Sequence, residues 1–145
     1  MDIDPAALFS DLIRLETELW NAVAARLQAE HGLELSWFEP MQVMARTKDC
    51  RVQEIAEALS ITVGGTSKIV DRIESAGWCR RKQNPEDRRS SYIQLTPAGH
   101  RLLAAATSTF AAEVEDRLRT PLSTRRFQEF AATIRQLRHA LRSSE

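Results

Sequence analysis

The segment covering residues 51–99 constrains the fold most strongly, because it joins two short helical patterns to a basic hairpin. Apolar side chains recur at helical spacing over residues 52–59, and Ser60 interrupts the pattern. Thr62 is suited to cap a second helix that runs through Ser75. Two extended segments then flank the turn sequence at 84–87. This order predicts a helix-turn-helix followed by a two-stranded β-hairpin, or wing.

Long amphipathic patterns lie on both sides of that segment. The first covers residues 6–30 and would be about 37 Å long, more than a small domain needs for its own core, so we expect it to pack on a partner. Ser36 and Glu39 have capping-box spacing and predict a second helix to about Thr47. Two further helices are expected, from Thr96 to about Arg119 and from about Ser123. The predicted fold class is therefore mainly α with a small β-hairpin wing.

Composition limits the classes of protein that the chain can form. A length of 145 residues with 43% apolar content suits one domain with an ordinary core. No apolar run approaches the roughly 20 residues of a membrane span, and the first residues lack a secretory signal, so we expect a cytoplasmic protein without membrane contact. Cys50 and Cys79 have no metal-site spacing and are interpreted as free thiols. No metal and no cofactor are expected.

The charges are unevenly distributed, although the formal net charge is zero. Residues 1–45 carry two basic and eight acidic side chains, whereas residues 46–101 carry eleven basic and seven acidic ones. Residues 102–145 carry seven basic and five acidic side chains. The excess of positive charge therefore coincides with the helix-turn-helix and the hairpin. Because a basic surface is needed to neutralise phosphates, double-stranded DNA is the expected partner.

The second helix of the pair supplies the first set of candidate DNA-binding residues. The candidates at its start and on its exposed face are Thr62, Gly64, Gly65, Ser67 and Lys68, with Thr66 and Arg72 also expected to face outward. Lys68 is the leading candidate for a guanine or phosphate contact. Thr62 and Ser67 can alternatively be a cap and a solvated hydroxyl. The two glycines indicate either close approach of backbone to DNA or a frayed first turn.

The hairpin supplies the second set of candidates. Arg88 and Arg89 are expected near its tip, and residues 80–82 place three basic side chains on its first strand to meet phosphates or solvent. Asp71 and Arg72 are expected to form either an ion pair within the lobe or a DNA contact.

A family resemblance rests on the joint spacing of these parts. The residues that carry it are Ile55-Ala56, Leu59, Thr66, Val70-Asp71-Arg72-Ile73-Glu74, Gly77-Trp78, Arg80, Asn84-Pro85, Asp87-Arg88-Arg89, Leu95-Thr96 and Gly99. In this order they resemble the MarR family of bacterial transcription regulators, over nearly the whole chain. The resemblance implies one domain over 1–145, with dimerisation helices at about 6–31 and 97–145 around a winged helix-turn-helix lobe at about 36–96.

The resemblance also implies a function. It implies a triangular obligate homodimer that binds a pseudo-palindromic operator, with repression as the family's usual outcome. Arg89 matches the family's minor-groove arginine, and Asp87 is expected to orient it. A small aromatic or phenolic anion is expected to release the DNA from a cleft between the dimer base and the lobe. The candidate effector-binding residues are Trp20, Trp37, Met41, Met44 and His100, although aromatic and methionine side chains at helical spacing are also typical of a core.

The sequence also bears on three other functions. Lys48 and Arg51 flank Cys50 and would lower the pKa of its thiol, which would suit a redox sensor. A winged helix can also serve only protein contacts, without DNA. An enzyme is not expected, because the three histidines lack metal spacing and no nucleophile or phosphate-loop motif is present, so no catalytic residue is predicted.

Overall fold

The computed structural model describes residues 2–144, and its elements confirm the predicted fold class. The helices are α1 (Pro5–His31), α2 (Leu35–Arg46), α3 (Val52–Leu59), α4 (Val63–Ser75), α5 (Pro97–Val114) and α6 (Thr124–Arg142). The strands are β1 (Cys79–Gln83) and β2 (Ser91–Leu95), which pair antiparallel. A π-helical turn at Glu115–Arg119 extends α5. None of the helices in this range is long and apolar enough to cross a membrane.

Helix α1 is longer than the core that it covers. The Asp4 side chain caps its start by accepting a hydrogen bond from the Ala6 amide, and Gly32 ends it at a positive φ of 62°. Only Val23 and Leu27, in its second half, are buried. The large apolar side chains that remain exposed on α1 are Leu8, Phe9, Leu12, Ile13, Leu15 and Trp20. This exposed apolar surface is suited to bind a partner outside the chain.

Helix α2 begins two residues earlier than its capping-box pattern predicted. Glu34 is the N-cap residue and Leu35 is the first residue of the helix, while the Ser36 hydroxyl donates to the Glu34 carboxylate instead of capping. Leu35 is buried, and its packing against the core accounts for the earlier start. Pro40 consequently lies inside the helix, where it has no amide hydrogen to donate to the Ser36 carbonyl.

One apolar core joins the helix-turn-helix, the hairpin and the flanking helices. Phe38 of α2 stacks on Phe110 of α5, with ring centroids 4.7 Å apart. Strand β2 contributes the buried Ile93, whose amide donates to the Cys50 carbonyl at 2.7 Å. The other fully buried side chains of this core include Leu27, Leu33, Met41, Ile55, Val70 and Ile73. The hairpin is thus attached to the loop between α2 and α3.

A polar cluster joins α1 to α5. The Glu113 carboxylate accepts from Arg26 and from Arg117, each at 2.9 Å. The Thr109 hydroxyl lies 3.1 Å from Glu30 and 2.7 Å from His31. Hydrogen bonds from Arg117 and Arg26 lower the pKa of Glu113. The cluster fixes α1 along α5 with charge-assisted bonds.

Helix α6 leaves the core. Ser123 caps its start by accepting from the Arg126 amide, and no described residue of α6 is buried. Ile134, Leu137 and Leu141 are exposed along one stripe. The two terminal helices therefore both carry uncovered apolar surface.

Candidate nucleic-acid interface

The turn between α3 and α4 places the first residues of α4 on the surface. Ser60 adopts the left-handed conformation that ends α3, with φ at 54°. Thr62 then caps α4, because its side-chain oxygen accepts a hydrogen bond from the Gly65 amide at 3.0 Å. The predicted cap at Thr62 is confirmed. Its side chain is exposed, so a single residue both starts α4 and borders the surface in front of it.

The two glycines of α4 differ in their surroundings. A β-carbon on Gly65 would lie 3.0 Å from the Thr62 hydroxyl, which gives Gly65 a role in the cap itself. A β-carbon on Gly64 would meet nothing within 4 Å. The fold therefore offers no steric reason for glycine at position 64. Close approach of DNA to the backbone and a frayed first turn both stay possible at Gly64.

The outward face of α4 differs from its prediction at one residue. Lys68 and Arg72 are exposed, as expected. Thr66 was expected to face outward, but it is fully buried and its hydroxyl donates to the Thr62 carbonyl at 2.7 Å. Ser67 is half-buried, and its hydroxyl and carbonyl oxygens both lie within reach of the Arg81 guanidinium. Lys68 and Arg72 are thus the long cationic side chains that α4 presents to solvent.

Arg81 performs a different role from its neighbours on β1. Its guanidinium lies 2.7 Å from Asp71 and 3.1 Å from Glu74, both on α4, and its amide donates to Glu74 at 2.7 Å. The prediction that Arg81 meets phosphates is therefore wrong. Of the two alternatives for Asp71 and Arg72, the ion pair between them does not form, because Asp71 pairs with Arg81. Arg81 fastens the wing to α4, whereas Arg80 and Lys82 remain exposed.

The tip of the wing is held by two side chains that bond to the backbone. The buried Asn84 accepts from the Glu86 amide at 2.9 Å and donates to Ser90 at 3.1 Å. Asp87 accepts from the Arg89 amide at 2.9 Å. Asp87 thus orders the backbone at Arg89 through an Asx-type turn. The side chains of Arg88 and Arg89 stay exposed.

A cavity of about 620 Å³ lies between α1, α2, α5 and the part of the helix-turn-helix that includes the end of α3, the turn and α4. Among the predicted effector residues, Trp20 lines it, but Trp37, Met41, Met44 and His100 do not. Met41 and Met44 are core residues, Trp37 packs against the core, and His100 is exposed near the start of α5. The lining residues that sequence analysis missed include Glu16, Leu19, Glu39, Leu59, Phe110 and Leu118. Spacing alone could not separate the cavity face of α2 from its core face.

The cysteines do not provide a reactive site. Cys50 and Cys79 are both buried. Burial, together with the Glu54 carboxylate, raises the pKa of Cys50 to about 11. The predicted lowering by Lys48 and Arg51 is therefore wrong, because loss of hydration outweighs those flanking charges. Within residues 2–144, no group of three or more potential metal ligands lies together.

A helix-turn-helix whose second helix is tied to a basic hairpin defines a winged helix-turn-helix protein. The family model of the MarR family matches residues 41–91, which run from α2 to the start of β2. Over this segment the chain is similar to the MarR family.

Similar proteins agree with this match. The uncharacterized HTH-type transcriptional regulator YkoM of Bacillus subtilis (strain 168) is 30% identical over 74 residues, 51% of this chain and 48% of YkoM. The HTH-type transcriptional regulator MhqR of the same organism is 29% identical over 87 residues, 60% of each chain. The matches thus span about half to three fifths of these relatives.

A solved structure matches nearly the whole fold. Sco3205, a MarR family transcriptional regulator from Streptomyces coelicolor solved in complex with DNA, superposes with a TM-score of 0.85 at 22% identity. The match covers 97% of this chain and 93% of that one. It extends the shared fold to the terminal helices.

Proposed function

We propose that this chain is a DNA-binding transcriptional regulator that acts in the cytoplasm as a homodimer on a pseudo-palindromic operator. Repression, relieved by a small molecule, is the proposed mode of action. The match of residues 41–91 to the MarR family model and the DNA complex of Sco3205 support a DNA partner. The proposal keeps one domain over 1–145, with dimerisation helices at about 6–31 and 97–145 and a DNA-binding lobe at about 36–96.

The observation that carries the proposal is the set of unpaired cations on one lobe. Among the described residues, no carboxylate lies within 4 Å of the basic groups of Lys68, Arg72, Arg80, Lys82, Arg88 or Arg89. By contrast, Arg81 is paired within the lobe. Unpaired, exposed cations at fixed positions are suited to replace the counterions of a phosphate backbone.

The two parts of the lobe suit different parts of a duplex. Thr62, Gly64, Gly65, Ser67 and Lys68 are the proposed major-groove residues of α4, together with Arg72. Arg88 and Arg89 are proposed to reach the neighbouring minor groove, with Asp87 ordering the turn beneath them. Arg80 and Lys82 are proposed to meet phosphates, which fixes the register without reading sequence.

The terminal helices provide the proposed dimer interface. Phe9 is 65% exposed and Leu141 is 72% exposed, and both belong to apolar stripes that the chain itself leaves bare. A second copy related by twofold symmetry would cover both stripes at once. Two lobes would then face half-sites about one helical turn apart.

The cavity gives the proposed route for release by a small molecule. Its walls include Trp20 of α1 and also Ile61 and Ile69 of the helix-turn-helix. A ligand there would touch both the dimerisation helix and the lobe. Binding that favours one lobe spacing over another shifts the affinity for a two-site operator.

The proposal is tested by DNA binding as a function of salt. We expect affinity for duplex promoter fragments to fall steeply as salt rises, and Arg89→Ala to weaken binding and reduce the salt slope by about one. Arg125→Ala is the matched control, because Arg125 is an exposed arginine of α6 that pairs with Glu129. A monomer in sedimentation, or affinity that Arg89→Ala leaves unchanged, contradicts the proposal. Binding to another protein, without salt-dependent binding to duplex DNA, would favour the alternative of a winged helix that serves only protein contacts.

A further inference from the structure

The cavity beside Trp20 has an unusual set of polar groups for a site expected to hold an anion. Its walls are mainly apolar, and its polar residues are Glu16, Ser36, Glu39 and Gln42. No lysine, arginine or histidine is among the described residues that line it. The charged groups at its walls are therefore carboxylates.

These carboxylates have no cationic partner in the chain. Across residues 2–144, no basic nitrogen lies within 4 Å of the Glu16 or Glu39 carboxylate. Glu34 lines an adjoining cavity that shares Trp20, Leu35 and Ser36 with the first. Carboxylates of α1 and α2 thus lie at these two cavities, whereas a third cavity that shares Glu39, Gln42 and Leu59 with the first is also lined by Arg46 and Arg138.

The backbone adds another acceptor. Pro40 has no amide hydrogen, so the Ser36 carbonyl lacks its usual donor one turn further along α2. Both residues line the cavity. A ligand that carries hydrogen-bond donors or positive charge would match these acceptors.

The energetics of burial favour one sign of charge. An anion placed here would lose hydration against the apolar walls, and no cationic side chain among the lining residues would compensate for that loss. A cation would approach two carboxylates and could lie against the Trp20 indole, which is 52% exposed, or against Phe38 and Phe110. Apolar walls would contribute the rest of the affinity.

We infer that this cavity binds a lipophilic cation, such as an aromatic or alkyl ammonium compound, and not the phenolic anion that the family resemblance implies. A regulatory effect of that binding rests on the proposed function, whereas the binding itself does not. The residues that line the cavity thus indicate the chemical class of the effector, which is a lipophilic cation.

The test compares two probes of the same shape and opposite charge. Tetraphenylphosphonium and tetraphenylborate are titrated separately into the full chain without DNA, by calorimetry and by quenching of tryptophan fluorescence. We expect the phosphonium to bind at least about tenfold more tightly. The Trp20→Phe variant is expected to lose most of the quenching, which would place the probe at the cavity. Equal or tighter binding of the borate overturns the inference.

Charge variants identify the groups responsible. Combined Glu16→Gln and Glu39→Gln substitutions are expected to weaken phosphonium binding about tenfold and to leave borate binding equal or stronger. Glu18→Gln, singly and combined with Glu129→Gln, is the control, because these changes remove the same charge from residues outside the cavity. Phosphonium affinity that is unchanged in the Glu16/Glu39 variant, or lowered equally in the controls, overturns the inference.

A DNA-binding measurement separates the inference about the ligand from the proposed function. We expect the phosphonium, added at saturation, to lower the affinity of the full chain for promoter DNA. DNA binding that is absent from the start defeats the proposed function, while the titrations without DNA still decide the ligand class. DNA binding together with failed phosphonium binding defeats the ligand class alone.

Discussion

Gly99, near the start of α5, lies so close to Trp78 that a β-carbon at position 99 would be 1.9 Å from the Trp78 carbonyl oxygen. The same carbonyl accepts from the Thr96 amide at 3.0 Å, and the Thr96 hydroxyl donates to the Gly77 carbonyl at 2.7 Å. These bonds draw the start of α5 onto the turn that follows α4. Glycine at position 99 is therefore a packing requirement.

Replacing Gly99 with alanine is expected to destabilise the fold by about 2–3 kcal/mol, because the backbone at Trp78 must move to admit the methyl group. Urea unfolding at fixed protein concentration measures the loss. A stability equal to that of the parent chain would show that α5 can shift without cost.

Gly64→Ala is expected to have the opposite effect on stability. The added methyl meets nothing within 4 Å, and alanine in a helix gains about 0.5–1 kcal/mol over glycine. We nevertheless expect weaker DNA binding, because the methyl would occupy space that the backbone of DNA needs. Fluorescence anisotropy with a duplex probe tests this. Unchanged affinity would support the alternative of a frayed first turn.

Substitutions of Arg80 and Arg81 are expected to separate a side chain that contacts DNA from one that holds the wing on α4. Arg81→Gln removes the ion pairs to Asp71 and Glu74 and is expected to cost about 1 kcal/mol of stability. It should weaken DNA binding without changing the salt slope. Arg80→Gln should leave stability unchanged and lower the slope by about one. Identical slopes for the two variants would refute this division.

The α1–α5 cluster should make stability depend on acid pH. Hydrogen bonds from Arg117 and Arg26 hold the pKa of Glu113 below its ordinary value of 4.5. The cluster therefore stabilises the fold above about pH 4.5, and that contribution is lost as pH falls through the lowered pKa.

As the pH falls through this range, the Tm of the Glu113→Gln variant is expected to decrease less than the Tm of the parent chain. Glu129→Gln is the control, because its partner Arg125 is exposed. Equal decreases of Tm in the parent chain and in Glu113→Gln would exclude Glu113 as the source of the pH dependence.

The cysteines should resist modification in the folded chain. Because the pKa of Cys50 is raised to about 11, its thiol stays protonated at neutral pH and lies away from solvent. Ellman's reagent is expected to react slowly with the native chain and rapidly in denaturant. Rapid native labelling, together with loss of DNA binding after peroxide treatment, would restore the redox alternative.

Local signals predicted most of the element boundaries. Gly32, Thr62 and Thr96 act at helix ends through bonds to their own neighbourhood, so the sequence suffices to place them. Ser36 did not act as the predicted cap, because α2 begins two residues earlier, with Leu35 buried against the core. The helix-turn-helix and the wing followed from such local signals.

The roles of individual side chains depended on contacts between elements. Arg81 was placed with Arg80 and Lys82, although alternation along a strand puts it on the opposite face, and this signal could have separated it. For Met41 and Met44, the spacing along α2 did not decide between a core position and a position on the cavity wall, and the structure places both in the core. The cavity wall depends on how α1 and α5 pack, which no single segment of sequence specifies.

The attachment of β1 to α4 through Arg81 has a consequence for the choice of nucleic acid. Under the proposed function, a lobe whose wing is held to α4 by these ion pairs would span two grooves at one set distance. A-form RNA duplexes have a deep, narrow major groove that excludes a helix. We therefore expect this chain to discriminate against double-stranded RNA by shape alone, before any base is recognised.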